Sequence, residues 1–327
     1  MTIIKQKLNK LVILANLGSP EELSVDAIRK FLQVFLSDKR VVNLPRYLWF
    51  PILYGIILPI RSKKLLHKYQ QIWLENKGMP LSYYTQQQSA KLQQEFDCGD
   101  TVIDYAFCYG SRTIRERLNY FEANFTINEL TILPLYPQYS SSTTAPVFDQ
   151  LSAYYQERYQ IPQINFINSF ASNRLYIKQL ADIVRKMWVK TNDSTKLVVS
   201  FHSVPVKMIE SGDRYVQECE TTYRALCVEL GLDSDRDARL CYQSKFGKAK
   251  WVEPATDVTI KSLASAGCEH IVVICPGFVS DCLETLEEVS LEYRALFLNN
   301  GGKQFTYVPC FNDSQEFIQV LKNIVID

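Results

Sequence analysis

The sequence lacks most of the patterns that announce an enzyme class. Only three of its 327 residues are histidines, His67, His202 and His270, and no two of its nine cysteines form C-x-x-C. That argues against a structural zinc site and against an iron–sulfur cluster held by clustered thiolates. No Walker sequence is present. The turn Asn16-Leu17-Gly18-Ser19-Pro20 carries a single glycine where a dinucleotide fingerprint needs three, so nucleotide binding is rejected. Ser203 adjoins His202, yet there is no G-x-S-x-G elbow, and a nucleophile and its base ordinarily come from separate elements. No apolar run reaches the ~18 to 20 residues of a membrane span. A net charge of +1 carries no polyelectrolyte signature, which excludes nucleic acid as an expected partner. The odd cysteine count, with no signal peptide, points to reduced thiols and a cytoplasmic chain.

What is present is an ordinary soluble composition, 47% hydrophobic and 22% charged, in a chain long enough for two domains. Apolar strand-like runs alternate with helical periodicity. Leu11 to Ala15, Thr101 to Cys108 and Leu130 to Leu135 read as strands of the first half. Ile164 to Ile167, Lys196 to Phe201, Ala238 to Tyr242, Ile271 to Cys275 and Phe305 to Val308 read as strands of the second. Helices are expected between them, one over Val25 to Leu36 capped by Ser24 and a last one over Ser314 to Ile326. The halves rhyme: LVILANLGSP with LVVSFHSVP, and LTILPLYPQYS with IVVICPGFVSD. Two similar α/β domains, with sites at their strand ends, is the economical reading.

The organising stretch is Cys275 to Phe297. At ~100° per residue, Asp281, Glu284, Glu288 and Glu292 fall within an arc of roughly 80°, opposite Leu283, Leu286, Val289, Tyr293, Leu296 and Phe297. Such a row is ordinarily a solvated face, but this one starts at the carboxyl end of a strand, where open α/β sheets hold ligands. Carboxylate oxygens suit a divalent cation. His202 also ends a strand, and a histidine with Glu284 suits either base catalysis or metal contact. Ser140 to Thr144 is a hydroxyl run entering a helix, fit equally for an anion or for capping. Leu48 to Ile60 is apolar and bracketed by Arg46, Arg61, Lys63 and Lys64, which suits core, a greasy cleft or a membrane surface.

Together SFHSVP (200–205) and PGFVSDCLETLEE (276–288), with LANLGSP (14–20), LPLYPQYSSSTT (133–144) and YQSKFGKAKW (242–251), resemble the ferrochelatases, which insert Fe(2+) into a porphyrin at the end of haem synthesis. The blocks cover nearly the whole chain in family order. The resemblance implies two Rossmann-like domains of the chelatase fold, each with a parallel four-stranded sheet flanked by helices, over 1–155 and 156–327. It sets the porphyrin between them and allows the last helix to pack back on the first domain. His202 matches the metal-site histidine and Glu284 its acidic partner. Asp281, Glu288 and Glu292 resemble the acidic metal path, and Leu17, Tyr136, Trp251 and Phe278 the porphyrin pocket. Leu48 to Ile60 resembles the apolar lip, with peripheral membrane contact as an option.

The implied substrates are protoporphyrin IX and Fe(2+), with protohaem and two protons released, by a monomer or weak dimer. Coproporphyrin or another tetrapyrrole is the alternative within the chemistry, and a non-catalytic haem or porphyrin carrier the alternative outside it. Cys282 stands where many relatives have histidine, and Cys108 near an arginine of some relatives. Relatives with a [2Fe-2S] cluster carry its cysteines in a C-terminal extension; here only Cys310 is close to the end, so no cluster and no other cofactor is expected.

Overall fold

The structure, a computed structural model, describes residues 5–96, 99–188, 194–247 and 249–326. Cys98, and Val189 at the end of a helix expected over Arg174 to Val189, lie outside them. Among the described residues eight strands form two sheets. β1 (Gln6–Asn16), β2 (Thr101–Phe107), β3 (Phe125–Pro134) and β4 (Gln163–Phe166) are ordered β2-β1-β3-β4. β5 (Thr195–His202), β6 (Ala238–Gln243), β7 (His270–Ile274) and β8 (Gln304–Tyr307) are ordered β6-β5-β7-β8. Every pairing is parallel, which is why a helix returns the chain between strands. The central strands are apolar without alternation because both faces are covered: Leu11 to Asn16 are all buried, as are Leu197 to Phe201. Each sheet is the four-stranded parallel sheet expected of the fold.

One strand was read on the wrong side of the boundary. β4 belongs to the first sheet, where Leu130 pairs with Ile164 and Ile132 with Phe166 after the crossover helix Thr144–Tyr155. The compact units run accordingly: Met1–Leu135, Ser141–Asn168 and Leu321–Asp327 form one, Tyr136–Ser140 and Ser169–Val320 the other. The boundary thus falls at Asn168 and not at residue 155. The end of the last helix, Gln315–Ile326, lies in the first unit, where Lys10 Nζ donates to the Val325 carbonyl (3.0 Å) and Lys322 pairs with Glu95 (2.9 Å).

In the first unit Ser24 caps the helix Val25–Ser37 as read, its hydroxyl accepting from Ala27 N. The single glycine of the first turn has a stringent reason. Gly18 sits at φ +97°, and a Cβ there would lie 2.0 Å from the Tyr109 carbonyl oxygen, so neither backbone conformation nor space admits a side chain. The apolar segment is helical: Arg46–Ile52, one π turn over Leu53–Ile57, then Leu58–Ile72. Pro51 has no N–H to give the helical ladder, and the widened turn follows directly. Trp49, Leu53 and Leu58 turn inward, with Trp49 Nε1 donating to the Leu36 carbonyl at 2.7 Å. Tyr47, Leu48, Phe50, Ile52, Tyr54, Ile56 and Ile60 are exposed.

In the second unit Ile260, Ile271, Val273, Val289 and Phe297 form the core between sheet and helices. The helix after β7 departs from the α-periodicity used above. It is a π-helix over Glu284–Tyr293 that narrows to an α-helix over Arg294–Asn299. Each N–H reaches back five residues instead of four, so faces drawn at 100° per residue shift. Glu287, outside the projected row, is buried, while Glu292, inside it, is exposed.

Replacing Gly18 by Ala combines a disfavoured φ with a backbone collision, and a loss of at least about 2 kcal/mol is expected. Equilibrium unfolding of Gly18→Ala beside the parent measures it.

Candidate active site

A sheet ordered β6-β5-β7-β8 has its switch point between β5 and β7, because the chain leaves β5 first to one side and then to the other. Ligands of open α/β sheets bind outside the carboxyl ends at such a point. His202 is the last residue of β5, and the loop leaving β7 leads to Glu284, first residue of the π-helix. Both side chains are half-buried. Sheet topology alone thus brings the two principal candidates to one sheet edge.

The imidazole is oriented by its own backbone. His202 Nδ1 lies 2.6 Å from the Ser203 carbonyl oxygen, which can only accept, so Nδ1 carries a proton and, in the neutral ring, Nε2 presents a bare lone pair. Glu284 is held from behind by Gln243, the buried last residue of β6, whose Nε2 donates to the Glu284 carbonyl at 2.9 Å. The Gln243 Oε1 accepts from Ser200 Oγ (2.7 Å) and from Cys275 Sγ (3.4 Å). Its backbone pairs with His202 in register and its carbonyl accepts from Ser203 N at 2.7 Å. One amide therefore ties the histidine segment to the glutamate segment. It lay in the YQSKFGKAKW block without a role, and a buried amide at the end of the neighbouring strand was the available signal.

The other acids differ among themselves. Glu288 Oε1 accepts from Ser244 N (2.9 Å) and from Tyr293 OH (2.7 Å), and its Oε2 from the Ser244 hydroxyl. Ser244 is left-handed at φ +65°, so Glu288 holds the start of an unusual turn. That turn leads to Trp251, whose Nε1 donates to the Phe246 carbonyl and whose backbone bridges Pro205, three residues beyond His202. Trp251 is thereby brought to the histidine segment. Asp281 is buried, with Tyr307, Thr285 and Asn312 donating to its carboxylate. Glu292 is exposed. Phe278 is half-buried against the second unit's core. Leu17 follows β1 in the first unit, its N–H donating to Asn16 Oδ1. Tyr136 follows β3 and is half-buried. In the hydroxyl run, Ser140 Oγ donates to Asp213.

The thiols near this edge are not ligands in waiting. Burial, and then neighbouring thiols and carboxylates, push Cys275 and Cys310 well above the usual thiol range; Cys282 is raised by burial and then by Glu284. All three stay protonated at neutral pH, and a thiol, unlike a thiolate, binds metal poorly. Among the described residues no group of three or more His, Cys, Asp or Glu is gathered as a metal cage.

The family model described as Ferrochelatase matches residues 9–327. The chain belongs to the ferrochelatase family. It is 42% identical over 316 residues to a ferrochelatase of Proteus mirabilis, covering 97% of each chain. To a ferrochelatase of a Polaromonas species it is 44% identical over 312 residues, 95% of this chain and 84% of that one. Among solved structures, SirB from Bacillus subtilis with Fe3+ superposes at a TM-score of 0.59 with 8% identity, covering 98% of this chain and 95% of that one. The sirohydrochlorin chelatase SirB from Bacillus subtilis subspecies spizizenii, in complex with cobalt, gives 0.55 and 9%, over 97% and 93%. At those identities the likeness is one of fold, and it confirms the chelatase architecture.

Gln243→Leu leaves Ser200, Cys275 and the Glu284 carbonyl without their partner. A stability loss of about 1–3 kcal/mol is expected, and iron insertion should slow by about 10-fold or more as Glu284 loses its alignment. Thermal melting and initial insertion rates of the variant check both.

Proposed function

We propose that this chain inserts Fe(2+) into protoporphyrin IX, forming protohaem and releasing two protons. Full-length membership of the ferrochelatase family supports the reaction, and the observation that carries the site is the bare Nε2 of His202 at the switch point that also delivers Glu284. Free-base porphyrin holds two N–H groups, and both protons must leave as the iron–nitrogen bonds form. An imidazole whose Nδ1 is fixed as a donor keeps Nε2 as acceptor for one proton or as a ligand to the incoming ion. Glu284 is the acidic partner, able to hold the ion or take the second proton. Two protein ligands leave iron positions for the pyrrole nitrogens. Iron is here a substrate, so a site built to release it suits the chemistry better than a closed cage.

Tyr136, Trp251 and Phe278, all in the second unit, are porphyrin contacts in this reading. Flat apolar walls that favour a puckered ring expose the nitrogen lone pairs and so favour the transition state. Glu292, exposed on the π-helix, is the acid open to hydrated iron. Glu288 contributes by holding the Ser244 turn and with it the Trp251 loop.

The apolar segment supports peripheral contact with a membrane surface. Seven large apolar side chains from Tyr47 to Ile60 are exposed, Tyr47 at 77%, and Lys63 and Lys64 beside them are exposed as well. That pairing of apolar and basic groups favours an anionic lipid interface. No helix among the described residues is long and apolar enough to cross a membrane.

Mixed anaerobically with protoporphyrin and Fe(2+), the protein should quench free-base fluorescence and produce haem absorption over many turnovers. His202→Ala should retain porphyrin binding and lose insertion by at least about 100-fold. Tight binding without turnover by the parent would assign it to carriage, and preferential turnover of coproporphyrin would change the substrate. A Leu48→Gln/Ile56→Gln variant should sediment severalfold less than the parent with phosphatidylglycerol vesicles.

A further inference from the structure

Asp281 leads the acidic row in sequence, but its surroundings differ from those of the acids after it. It is buried, at 5% exposure, and both of its carboxylate oxygens accept from neighbouring donors. Oδ1 accepts from Tyr307 OH at 2.6 Å and from Thr285 Oγ1 at 2.9 Å, and Oδ2 accepts from Asn312 Nδ2 at 2.7 Å. Its own N–H donates to Asn312 Oδ1 at 2.8 Å. That last bond fixes which end of the Asn312 amide is oxygen, because a backbone N–H requires an acceptor. Asn312 in turn stands at φ +53° and donates its N–H to the Val279 carbonyl at 2.9 Å. Thr285, fully buried, also accepts from Cys282 N at 3.0 Å. Residues 279 to 285 are thus closed from both sides, and Glu284 lies inside the closed stretch.

We infer that Asp281 is a positioning residue, one half of a reciprocal Asp281–Asn312 clamp that fixes the entry of the π-helix and so aims Glu284, and that it is not a carrier of iron. An iron ion at Asp281 would have to displace three donors from a site with almost no solvent access. A buried carboxylate is stable only while those donors are kept. The inference rests on the insertion activity proposed above.

The reciprocity supplies the test, because the pair can be exchanged. In Asp281→Asn alone the new amide nitrogen either faces the Asn312 amide nitrogen, donor to donor, or replaces Oδ1, where Tyr307 and Thr285 can no longer donate to it and must turn their hydroxyl protons elsewhere. In Asn312→Asp alone two carboxylates face each other. In the double variant Asp281→Asn/Asn312→Asp every bond is restored: the new amide donates to the new carboxylate, its oxygen keeps Tyr307 and Thr285, and the Asp281 N–H again meets an oxygen. Asp tolerates the left-handed backbone at 312 nearly as well as Asn.

Each single variant should melt lower than the parent and lose about 10- to 100-fold in kcat, with KM for Fe(2+) nearly unchanged. The double variant should recover its melting temperature and return to within about threefold of the parental kcat. A double variant that folds like the parent but stays as slow as Asp281→Asn, or whose defect lies in KM for Fe(2+), would overturn the inference and return Asp281 to the iron path. So would an Asp281→Asn variant with parental kcat. Absence of insertion by the parent itself would instead refute the activity, while the melting pattern would still report on the clamp.

Discussion

A strand paired on both edges and covered on both faces can present a partly exposed polar side chain only at its ends. β5 is such a strand: β6 and β7 flank it, and Leu197 to Phe201 are buried. His202 is the first position at which the chain can present an imidazole without burying it whole. The reversal of strand order at β5 then decides what stands next to it, since the loop leaving β7 opens at the same edge. The rest of the second unit serves to keep that edge in one arrangement.

It does so with buried and half-buried polar groups that are hydrogen-bonded to one another. Gln243 meets Ser200, Cys275 and the Glu284 carbonyl; Glu288 meets Ser244 and Tyr293; Asp281 meets Tyr307, Thr285 and Asn312. In a medium of low dielectric each unmatched member would be costly, so such a network admits few alternative geometries. The same burial keeps the Cys275, Cys282 and Cys310 thiols protonated, which removes soft ligands that would compete for a metal in transit.

Much of this was legible in the sequence. Apolar runs gave the strands, Ser24 gave a helix start, and two strand-end motifs gave His202 and Glu284, because each depends on local pattern. Three features were not. β4 was assigned to the wrong half because pairing partner is a tertiary property that three exposed residues, Gln163 to Asn165, and a half-buried Phe166 do not encode locally. The π-helix escaped because apolar periodicity does not distinguish a five-residue from a four-residue ladder over ten residues. The acidic row looked uniform because a sequence shows carboxylates and not their donors: Tyr307 and Asn312 lie more than twenty residues beyond Asp281, and Ser244 forty-four before Glu288.

The central claim is that the fold presents Nε2 of His202 as an unprotonated lone pair by tying Nδ1–H to the Ser203 carbonyl. With only three histidines, long-range 1H–15N correlation on 15N-histidine-labelled protein resolves each ring, and His202→Gln assigns the one that matters. Where the ring is neutral, the account predicts a proton on Nδ1 and a bare Nε2 for His202. A proton on Nε2 would contradict it, since neither proton acceptance nor metal contact could then begin at that atom.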